Sequence, residues 1–390
     1  MWHELTRAAR ESGDLVLLGV IQEQHPDRCL LFKQWHQIEW PILHDPINSI
    51  PTRAVPVFIA IDEAGVVVDS NLRTNELEAF LDRPPATVES KKPSTVVGQT
   101  DEPNELTAAE RIVWGAADGL TDVIEDLKQH TASNPEDGPA WFQLGVAHRM
   151  RMESEYAENG DFQFAVHAWD QALAIDPNHY IYRRRIQQYG PRLIKPYPFY
   201  DWIEQARAEI TARGDEPVQL SVEPSGAEIA SPQRTWIAGE PGSVGEGKDV
   251  TKEPDPEGRI IRDLASLVQI EVVVVPGQVK PGMAVRAHLQ LTLSGNAHWN
   301  NEADPVALWV KEQAGVTPRV HQALAQQAKT PESKEVRRIE LELMVAKDVA
   351  DSQIEVPAYL LYYVCEETGG QCLYRRQDVN IPISLIQQQD

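Results

Sequence analysis

Cysteine is scarce in this chain, with only three among 390 residues. Two of them, Cys365 and Cys372, stand near the carboxyl end with six residues between them. Three cysteines are too few for a disulfide-framed protein, and they fit both a reducing and an oxidising compartment. Any thiol chemistry therefore depends on this close pair or on the third cysteine, Cys29.

Basic clusters and long apolar runs are also missing. The formal net charge is -23, with 36 lysines and arginines against 59 aspartates and glutamates. Nucleic acids and anionic membranes are bound through basic surfaces, so this balance argues against both as partners. No stretch of about 18 consecutive apolar residues occurs, which argues against a membrane span. We expect protein partners or small molecules instead.

Several signatures of enzyme and cofactor sites are absent as well. The 11 histidines form no paired-histidine motif, no Gly-x-Ser-x-Gly segment occurs, and no glycine-rich phosphate loop follows a strand. His25 and Cys29 are close in sequence, but two ligands do not make a metal site. Cys29 beside Arg28 at a helix start has the setting of a reactive thiol, although an ordinary core or surface cysteine is the simpler interpretation. The sequence predicts no cofactor and no metal.

The segment around Cys365 and Cys372 has the composition of a hairpin. Between the cysteines the chain reads Glu-Glu-Thr-Gly-Gly-Gln, a polar turn flanked by two strand-like runs. Such a turn brings the flanking residues within disulfide distance. The pair is either a structural staple or a redox couple, and the spacing leaves both open.

Residues 1–83 alternate between helix and strand patterns. The predicted elements are a helix at 3–12, a strand at 14–21, a helix at 28–38, a strand at 54–61, a strand at 66–68 and a helix at 74–81. A turn at 62–65 joins the last two strands into a hairpin. Residues 84–104 are rich in proline, serine and charge, which predicts a linker.

This order resembles the thioredoxin-like fold of the TlpA-type and peroxiredoxin-like proteins. The matching motifs are LLGV at 17–20, VP at 55–56 and IDEAG at 61–65. The resemblance implies that Pro56 is the family's cis-proline, which lies against the active-site cysteines. This chain departs from the family because it has neither the first strand nor the Cys-x-x-Cys motif before the first helix. The missing strand would lie between the strands at 14–21 and 54–61.

Two explanations of that departure lead to different locations. If the true start lies upstream, the missing segment would carry the strand, the cysteine motif and an export signal, and the protein would be periplasmic or otherwise extracytoplasmic. If the domain is a degenerate thioredoxin without an active site, the polar and amphipathic residues 1–7 predict a cytoplasmic protein.

Residues 105–213 have helical periodicity and resemble a tetratricopeptide repeat. The residues on the repeat's positions, allowing an insertion of about eight residues, are Trp141, Leu144, Gly145, Ala165, Trp169, Ala172 and Pro177. One repeat does not bury its own face, so we expect it to pack on neighbouring helices. The resemblance implies a short helical module that spaces the flanking domains or binds a protein client.

The carboxyl region changes to a period of two. Residues 214–258 are rich in proline and glycine and predict a second linker, whereas 259–390 contain alternating apolar and polar positions, as at 285–293 and 339–345. At least six short strands in about 130 residues predict an immunoglobulin-like sandwich. The fold class is therefore a multidomain α/β, α and β protein: a partial thioredoxin-like fold, a tetratricopeptide-like helical module and an immunoglobulin-like β-sandwich.

The cysteine region resembles the amino-terminal periplasmic domain of DsbD, the thiol:disulfide interchange protein. The matching segments are YYVC at 362–365, Cys372 and VNIP at 379–382, and NAHW at 296–299 is similar to a further motif of that family. The resemblance implies an immunoglobulin-like domain that passes electrons between thioredoxin-like partners, with Cys365 and Cys372 as the redox couple. The spacing between the two cysteines is one residue longer than in the type member of that family, and no membrane electron-transfer domain follows in this sequence.

Two functional hypotheses remain at this point. In the first, the protein is a thiol:disulfide oxidoreductase-like exchange protein that uses Cys365 and Cys372 with thioredoxin-like or other protein redox partners. In the second, it is a non-catalytic scaffold whose repeat binds a protein and whose cysteine pair is a structural disulfide.

Overall fold

The computed structural model describes residues 2–86, 107–239, 252–366 and 371–386 of a mixed helical and β protein. The described residues form two compact units. Unit 1 takes its residues from Met1–Tyr156, Ala172–Arg183 and Ile203–Val222. Unit 2 takes its residues from Ala157–Gln171, Arg184–Trp202 and Glu223–Asp390. Residues 87–104 of the predicted linker 84–104 and residues 240–251 of the predicted linker 214–258 lie outside the described residues.

Unit 1 begins with a small α/β region. Its elements are α1 (Trp2–Ser12), β1 (Gly19–Ile21), α2 (Pro26–Trp35), β2 (Ile42–His44), β3 (Ala60–Ile61), β4 (Val67–Asp69) and α3 (Leu77–Leu81). β1 pairs in parallel with β2, and β3 pairs with β4 as an antiparallel hairpin. Among the described strands these are two separate two-stranded sheets.

The predicted strands of this region are longer than the observed ones. The apolar run at 14–21 is β-strand only over β1, and the run at 54–61 is β-strand only over β3. Val16 is 84% exposed and Leu18 is 54% exposed. An apolar run becomes a buried strand only where neighbouring strands and helices cover it, and the described residues supply β1 with one neighbour, β2. The sequence did not indicate β2. The thioredoxin-like assignment stays a prediction.

Six α-helices follow within the described residues 107–239. They are α4 (Ala108–Trp114), α5 (Leu120–Ser133), α6 (Gly138–Met152), α7 (Asp161–Ile175), α8 (Tyr180–Tyr189) and α9 (Ile203–Ala212). Thr107 and Glu110 form a capping box at the start of α4, and Asp137 caps α6 by accepting the Ala140 amide. Leu120, Val123, Ile124 and Leu127 of α5 are buried, as their helical spacing predicts. The tetratricopeptide assignment stays a prediction.

The part of unit 2 that the structure describes forms ten strands in two sheets. They are β5 (Val268–Val275), β6 (Ala284–Leu293), β7 (Ala297–Asn300), β8 (Ala307–Val310), β9 (Val316–Pro318), β10 (Gln322–Leu324), β11 (Glu332–Ser333), β12 (Arg337–Val345), β13 (Gln353–Glu366) and β14 (Cys372–Ser384). One sheet has the order β5-β6-β12-β9. In the other, of order β10-β8-β13-β7-β11, the long strand β13 also pairs with β14.

A single hydrophobic core joins these two sheets into a β-sandwich. Alternate residues of β6, β12, β13 and β14 face it, including Leu289, Leu341, Leu360 and Ile381, all of which are almost fully buried. The period-two patterns at 285–293 and 339–345 are thus confirmed as β6 and β12. None of the helices in the described ranges has the length and apolar character that a membrane crossing requires.

Candidate thiol–disulfide site

The hairpin of β13 and β14 brings the two cysteines together. Cys365 and Cys372 are directly opposite in the antiparallel register, their Cα atoms are 4.0 Å apart, and a disulfide joins them. Residues 367–370 of the predicted glycine-centred turn lie outside the described residues. Proximity of the pair therefore follows from the sheet register itself.

The disulfide lies on the outer face of its sheet. On β13 the residues Tyr362 and Val364 belong to the core between the sheets, and side chains alternate along a strand. Cys365 therefore faces away from that core, on the same face as Tyr363. Tyr363 and Tyr374 are opposite in register, and their rings stack with centroids 4.5 Å apart. Each tyrosine is two residues along its strand from a cysteine of the disulfide.

The two sulfur-bearing residues differ in accessibility. Cys365 is only 2% exposed, whereas Cys372, on the edge side of the hairpin, is exposed. A thiolate that attacks a disulfide must approach one sulfur along the S–S axis, so access decides which sulfur is attacked. The exposed residue Cys372 is the accessible end of this pair.

An ionic cluster occupies the same face farther along β14. Arg376 donates to Asp255 at 2.8 Å and to Asp378 at 2.9 Å, and its guanidinium lies 3.7 Å from the centroid of the Tyr359 ring. The hydrogen bonds to Asp255 and Asp378 raise the pKa of Arg376, although burial alone would lower it. Arg375 donates to the backbone carbonyl of Tyr374. Arg376 therefore has two carboxylate partners, Asp255 and Asp378.

On the other side of β13, the strand β7 places His298 next to the disulfide. Cys365 and His298 are opposite in register, and the neighbouring pair Val364 and Trp299 faces the core. The His298 Nε2 lies 3.5 Å from a carboxylate oxygen of Glu332 on β11. The sequence singled out the segment 296–299 only as a family motif, because the residue opposite a given position depends on strand register.

Cys29 in unit 1 does not have the setting of a reactive thiol. It is a buried free cysteine on α2. Burial raises the pKa of the Cys29 thiol, and the carboxylate of Glu23 raises it further. A thiol with a raised pKa forms little of the nucleophilic thiolate at neutral pH. The structure therefore favours the interpretation of Cys29 as an ordinary core cysteine.

Two further residues that the sequence singled out, His25 and Pro56, lie in unit 1. His25 is buried, with Nε2 2.8 Å from Glu153 and Nδ1 3.3 Å from Glu23. Within the described residues, no group of three or more histidine, cysteine, aspartate or glutamate side chains is placed to hold a metal ion. The peptide bond between Val55 and Pro56 is cis, and Pro56 is exposed. Pro56 belongs to unit 1 and the cysteine pair to unit 2.

Comparisons with known proteins give limited information. No family model matches the chain. No curated protein matches it either. Solved structures that are similar to parts of the chain include a FixG-related protein from Vibrio parahaemolyticus, at 11% identity over 30% of this chain and 96% of that chain, with a TM-score of 0.15. They also include the BIgI domain of the beta protein from S. agalactiae, at 11% identity over 31% of this chain and 100% of that chain, with a TM-score of 0.14. A further one is an uncharacterised protein from Nocardia farcinica described as having an immunoglobulin-like fold, at 10% identity over 29% of this chain and 96% of that chain, with a TM-score of 0.16. Similarity at this level carries no information about function.

Proposed function

We propose that this protein takes part in thiol–disulfide exchange, with Cys365 and Cys372 as its redox couple. The observation that carries the proposal is the difference in solvent exposure between the two cysteines. The disulfide lies on the outer face of the β-sandwich, with one residue exposed and the other buried. In this proposal a partner thiolate attacks the exposed Cys372, and Cys365 leaves as a thiolate.

The exchange proceeds in two balanced steps. In the first, a partner thiolate attacks Sγ of Cys372, a mixed disulfide forms, the S–S bond to Cys365 breaks, and Cys365 leaves as a thiolate. In the second, the other thiol of the partner attacks its own sulfur in the mixed disulfide and releases the Cys372 thiolate. The partner dithiol is oxidised to a disulfide, and the Cys365–Cys372 disulfide is reduced to two thiols.

The partner class is a protein that carries two thiols close together. The resemblance of residues 362–382 to the amino-terminal domain of DsbD supports thioredoxin-like partners and an extracytoplasmic location, and the β-sandwich is compatible with its immunoglobulin-like fold. The single cysteine of unit 1, Cys29, is buried with a raised pKa. The Cys365–Cys372 pair is therefore the redox couple of this chain, and a tetratricopeptide-like helical module would act in client binding or spacing.

The alternative function is a scaffold with a structural disulfide. The burial of Cys365 favours this alternative, because a sulfur packed against the sheet is protected from exchange. In that case the hairpin of β13 and β14 is covalently closed, and the protein acts only by binding partners.

The reduction potential of the pair separates the two functions. The protein, with Cys29→Ser as the background, is equilibrated in redox buffers, and the Cys365–Cys372 state is read by mass shift after alkylation. Exchange predicts a potential above about -300 mV, and a structural disulfide predicts a value below it. A second measurement follows reduction of the disulfide by a thioredoxin-like dithiol protein. A potential below that limit together with no reaction with the dithiol protein would exclude the exchange function.

A further inference from the structure

The backbone groups of Cys372 point away from its partner strand β13. In an antiparallel hairpin, residue pairs that exchange backbone hydrogen bonds alternate with pairs that do not. The amide of Glu366 donates to the carbonyl of Gln371 at 3.1 Å, which makes this pair a hydrogen-bonded one. Cys365 and Cys372 are the next pair in the register, and their Cα separation of 4.0 Å agrees with a non-hydrogen-bonded pair. The N–H and C=O groups of Cys372 therefore point toward the outer edge of β14.

Two other stretches of this outer edge are already paired by the chain itself. The amide of Arg376 donates to the carbonyl of Ile261 at 3.0 Å, and its carbonyl accepts from the amide of Asp263 at 3.1 Å. Farther along, the carbonyl of Ser384 accepts from the amide of Val279 at 3.0 Å. Both added segments run parallel to β14. The outer edge of β14 therefore accepts additional strand pairing at both places.

The stretch of the edge at Cys372 and Tyr374 has open backbone groups. The alternation gives Tyr374 the same outward direction as Cys372, and within the described ranges no other backbone segment hydrogen-bonds to either residue. The carbonyl of Tyr374 accepts from the exposed side chain of Arg375 at 3.1 Å, which leaves that oxygen a second lone pair. This stretch is therefore an unfilled place for an extended segment.

Apolar surface flanks the open stretch. Tyr374 is 38% exposed, and Ile261 is 66% exposed. Because Arg262 bridges in parallel to Arg376, Ile261 lies at the end of its segment that is nearer to Tyr374. An extended segment that pairs with the open backbone would cover these two side chains.

The disulfide is oriented toward the same edge. Because Cys365 and Cys372 are directly opposite, the bond between their sulfur atoms crosses from β13 to β14. A thiolate attacks along the S–S axis, from the side opposite the leaving sulfur. With Cys365 as the leaving sulfur, that side is the outer edge of β14. A residue opposite Cys372 on an added antiparallel strand would have its Cβ roughly 4.5 to 5.5 Å away, which suits a cysteine.

We propose that the partner docks by adding an extended, cysteine-bearing segment to the edge of β14 at Cys372 and Tyr374. The proposal rests on the proposed exchange function and identifies the surface and the kind of segment that the function uses. Backbone N–H and C=O groups of the segment pair with those of Cys372 and Tyr374, and its apolar side chains cover Tyr374 and Ile261. The partner thiolate then bonds to Sγ of Cys372, the S–S bond breaks, and its electron pair stays on Sγ of Cys365.

The first test compares two synthetic peptides of sequence Thr-Val-Lys-Cys-Val-Thr. One has an ordinary backbone, and the other carries N-methyl groups on the two residues that flank the cysteine, which removes two backbone donors. Each is mixed with the oxidised Cys29→Ser protein, and the mixed disulfide is trapped with acid and measured by mass. We expect the ordinary peptide to react about tenfold faster, because it alone makes the strand hydrogen bonds. Reaction of both peptides with oxidised glutathione corrects for differences in their intrinsic thiol reactivity.

The second test changes the edge of the protein. Tyr374→Pro removes an outward amide that makes no hydrogen bond to β13, and Tyr374→Ala is the matched control that removes the ring alone. The ordinary peptide is expected to react about threefold or more slowly with Tyr374→Pro than with Tyr374→Ala. Dithiothreitol, which has no peptide backbone, should reduce both variants at the same rate, and this shows that the hairpin is intact in each.

Equal corrected rates for the two peptides would overturn the docking mode, whether or not Tyr374→Pro folds. That result leaves exchange in place if the original protein still reacts with a dithiol protein. A dimer of the original protein, detected by sedimentation and lost in Tyr374→Pro, would assign the edge to a second copy of this chain and would also overturn the proposal. Failure of the original protein to react with either peptide and with a dithiol protein contradicts the exchange function itself.

Discussion

Arg286 and Glu342 form an ion pair with no solvent exposure on either side chain, inside the β-sandwich unit. The Nη2 of Arg286 lies 3.2 Å from Oε1 of Glu342. Glu342 also accepts from Nε of Arg319 at 2.8 Å and from the backbone amide of Arg192 at 2.6 Å. The Nε of Arg192 also lies 3.6 Å from Oε1 of Glu342, so one carboxylate contacts three buried guanidinium groups and a backbone donor. Such a group is costly to remove alone, because its partners stay buried with uncompensated charge.

We predict that Glu342→Gln destabilises the protein by about 3 to 5 kcal/mol, because it removes the carboxylate that pairs with Arg319 and leaves Arg286 with Glu340 as its acidic partner. Urea unfolding followed by tryptophan fluorescence measures the change. The matched control is Glu355→Gln on the exposed side of β13, which should change the free energy of unfolding by less than about 0.5 kcal/mol. Equal small effects of both substitutions would show that the buried cluster does not contribute to stability.

A second prediction concerns Asp170 on α7. Burial raises the pKa of the Asp170 carboxyl from 3.8 to about 6, although the Gly277 amide donates to it at 2.9 Å. The folded state therefore holds more protons than the unfolded state between these two pH values. The contribution of Asp170 therefore lowers the free energy of unfolding as pH rises through that window, and the free energy of unfolding remains lowered at neutral pH.

Asp170→Asn keeps an acceptor for Gly277 without the buried charge. It should therefore stabilise the protein at about pH 7, by on the order of 2 kcal/mol, and have little effect near pH 4. Urea unfolding at the two pH values measures the difference between the variant and the original chain. The exposed Asp351→Asn serves as the control and should show no such dependence. A variant that is less stable than the original protein at both pH values would contradict the prediction.

The buried Lys195 should have the opposite effect on the pH dependence of stability, in the alkaline range. Its Nζ donates to the backbone carbonyls of Gln188 and Ala227, each at 2.6 Å. Burial lowers the pKa of Lys195 from 10.5 to about 7, and the positive charge of Arg286 adds to the effect. Between these values the unfolded state holds more protons than the folded state, so this group makes stability rise with pH.

Lys195→Met removes that titration, and the free energy of unfolding should then depend less steeply on pH between about pH 7 and pH 10. Chemical unfolding across this range measures the slope. Lys280→Met, at an exposed position in the same unit, is expected to retain the slope of the original protein. The prediction fails if both variants have the same slope.

The last prediction concerns His25 in unit 1. Burial alone would lower its pKa, but hydrogen bonds to Glu153 and Glu23 raise it above the ordinary histidine value of 6.5. The stabilisation from the imidazolium is complete below the unfolded value and is lost as pH rises through the raised folded value. His25→Gln should therefore destabilise the protein more at about pH 5.5 than at about pH 8.5.

Unfolding of the His25→Gln variant at those two pH values, compared with the original chain, measures this difference. The control is His130→Gln, because the His130–Asp137 pair lies on an exposed surface where ion pairs contribute little. A His25→Gln effect that is independent of pH would show that the charge of His25 does not stabilise unit 1.

The sequence located the strands of the sandwich better than those of the amino-terminal region. At 285–293 and 339–343, apolar and polar residues alternate, and the apolar positions are buried or partly buried as that pattern predicts, although the polar residues Arg286 and Glu342 are buried as well. At 14–21 and 54–61 the residues are apolar almost throughout, and a continuous apolar run becomes a strand only if other elements cover both faces. The strand β2 was not predicted, because three residues carry too short a pattern.

Local composition determined the helical periodicity of residues 105–213, the alternating strands of the sandwich, and the proximity of Cys365 and Cys372 across a hairpin. These features depend on interactions between residues close in sequence, so their pattern is present in the chain itself. Only the tertiary structure decided that Cys372 is exposed while Cys365 is buried, that His298 lies opposite Cys365, and that Glu342 joins Arg286 and Arg319. These relations depend on strand register and on the burial of charges by distant segments, which spacing along the sequence does not determine.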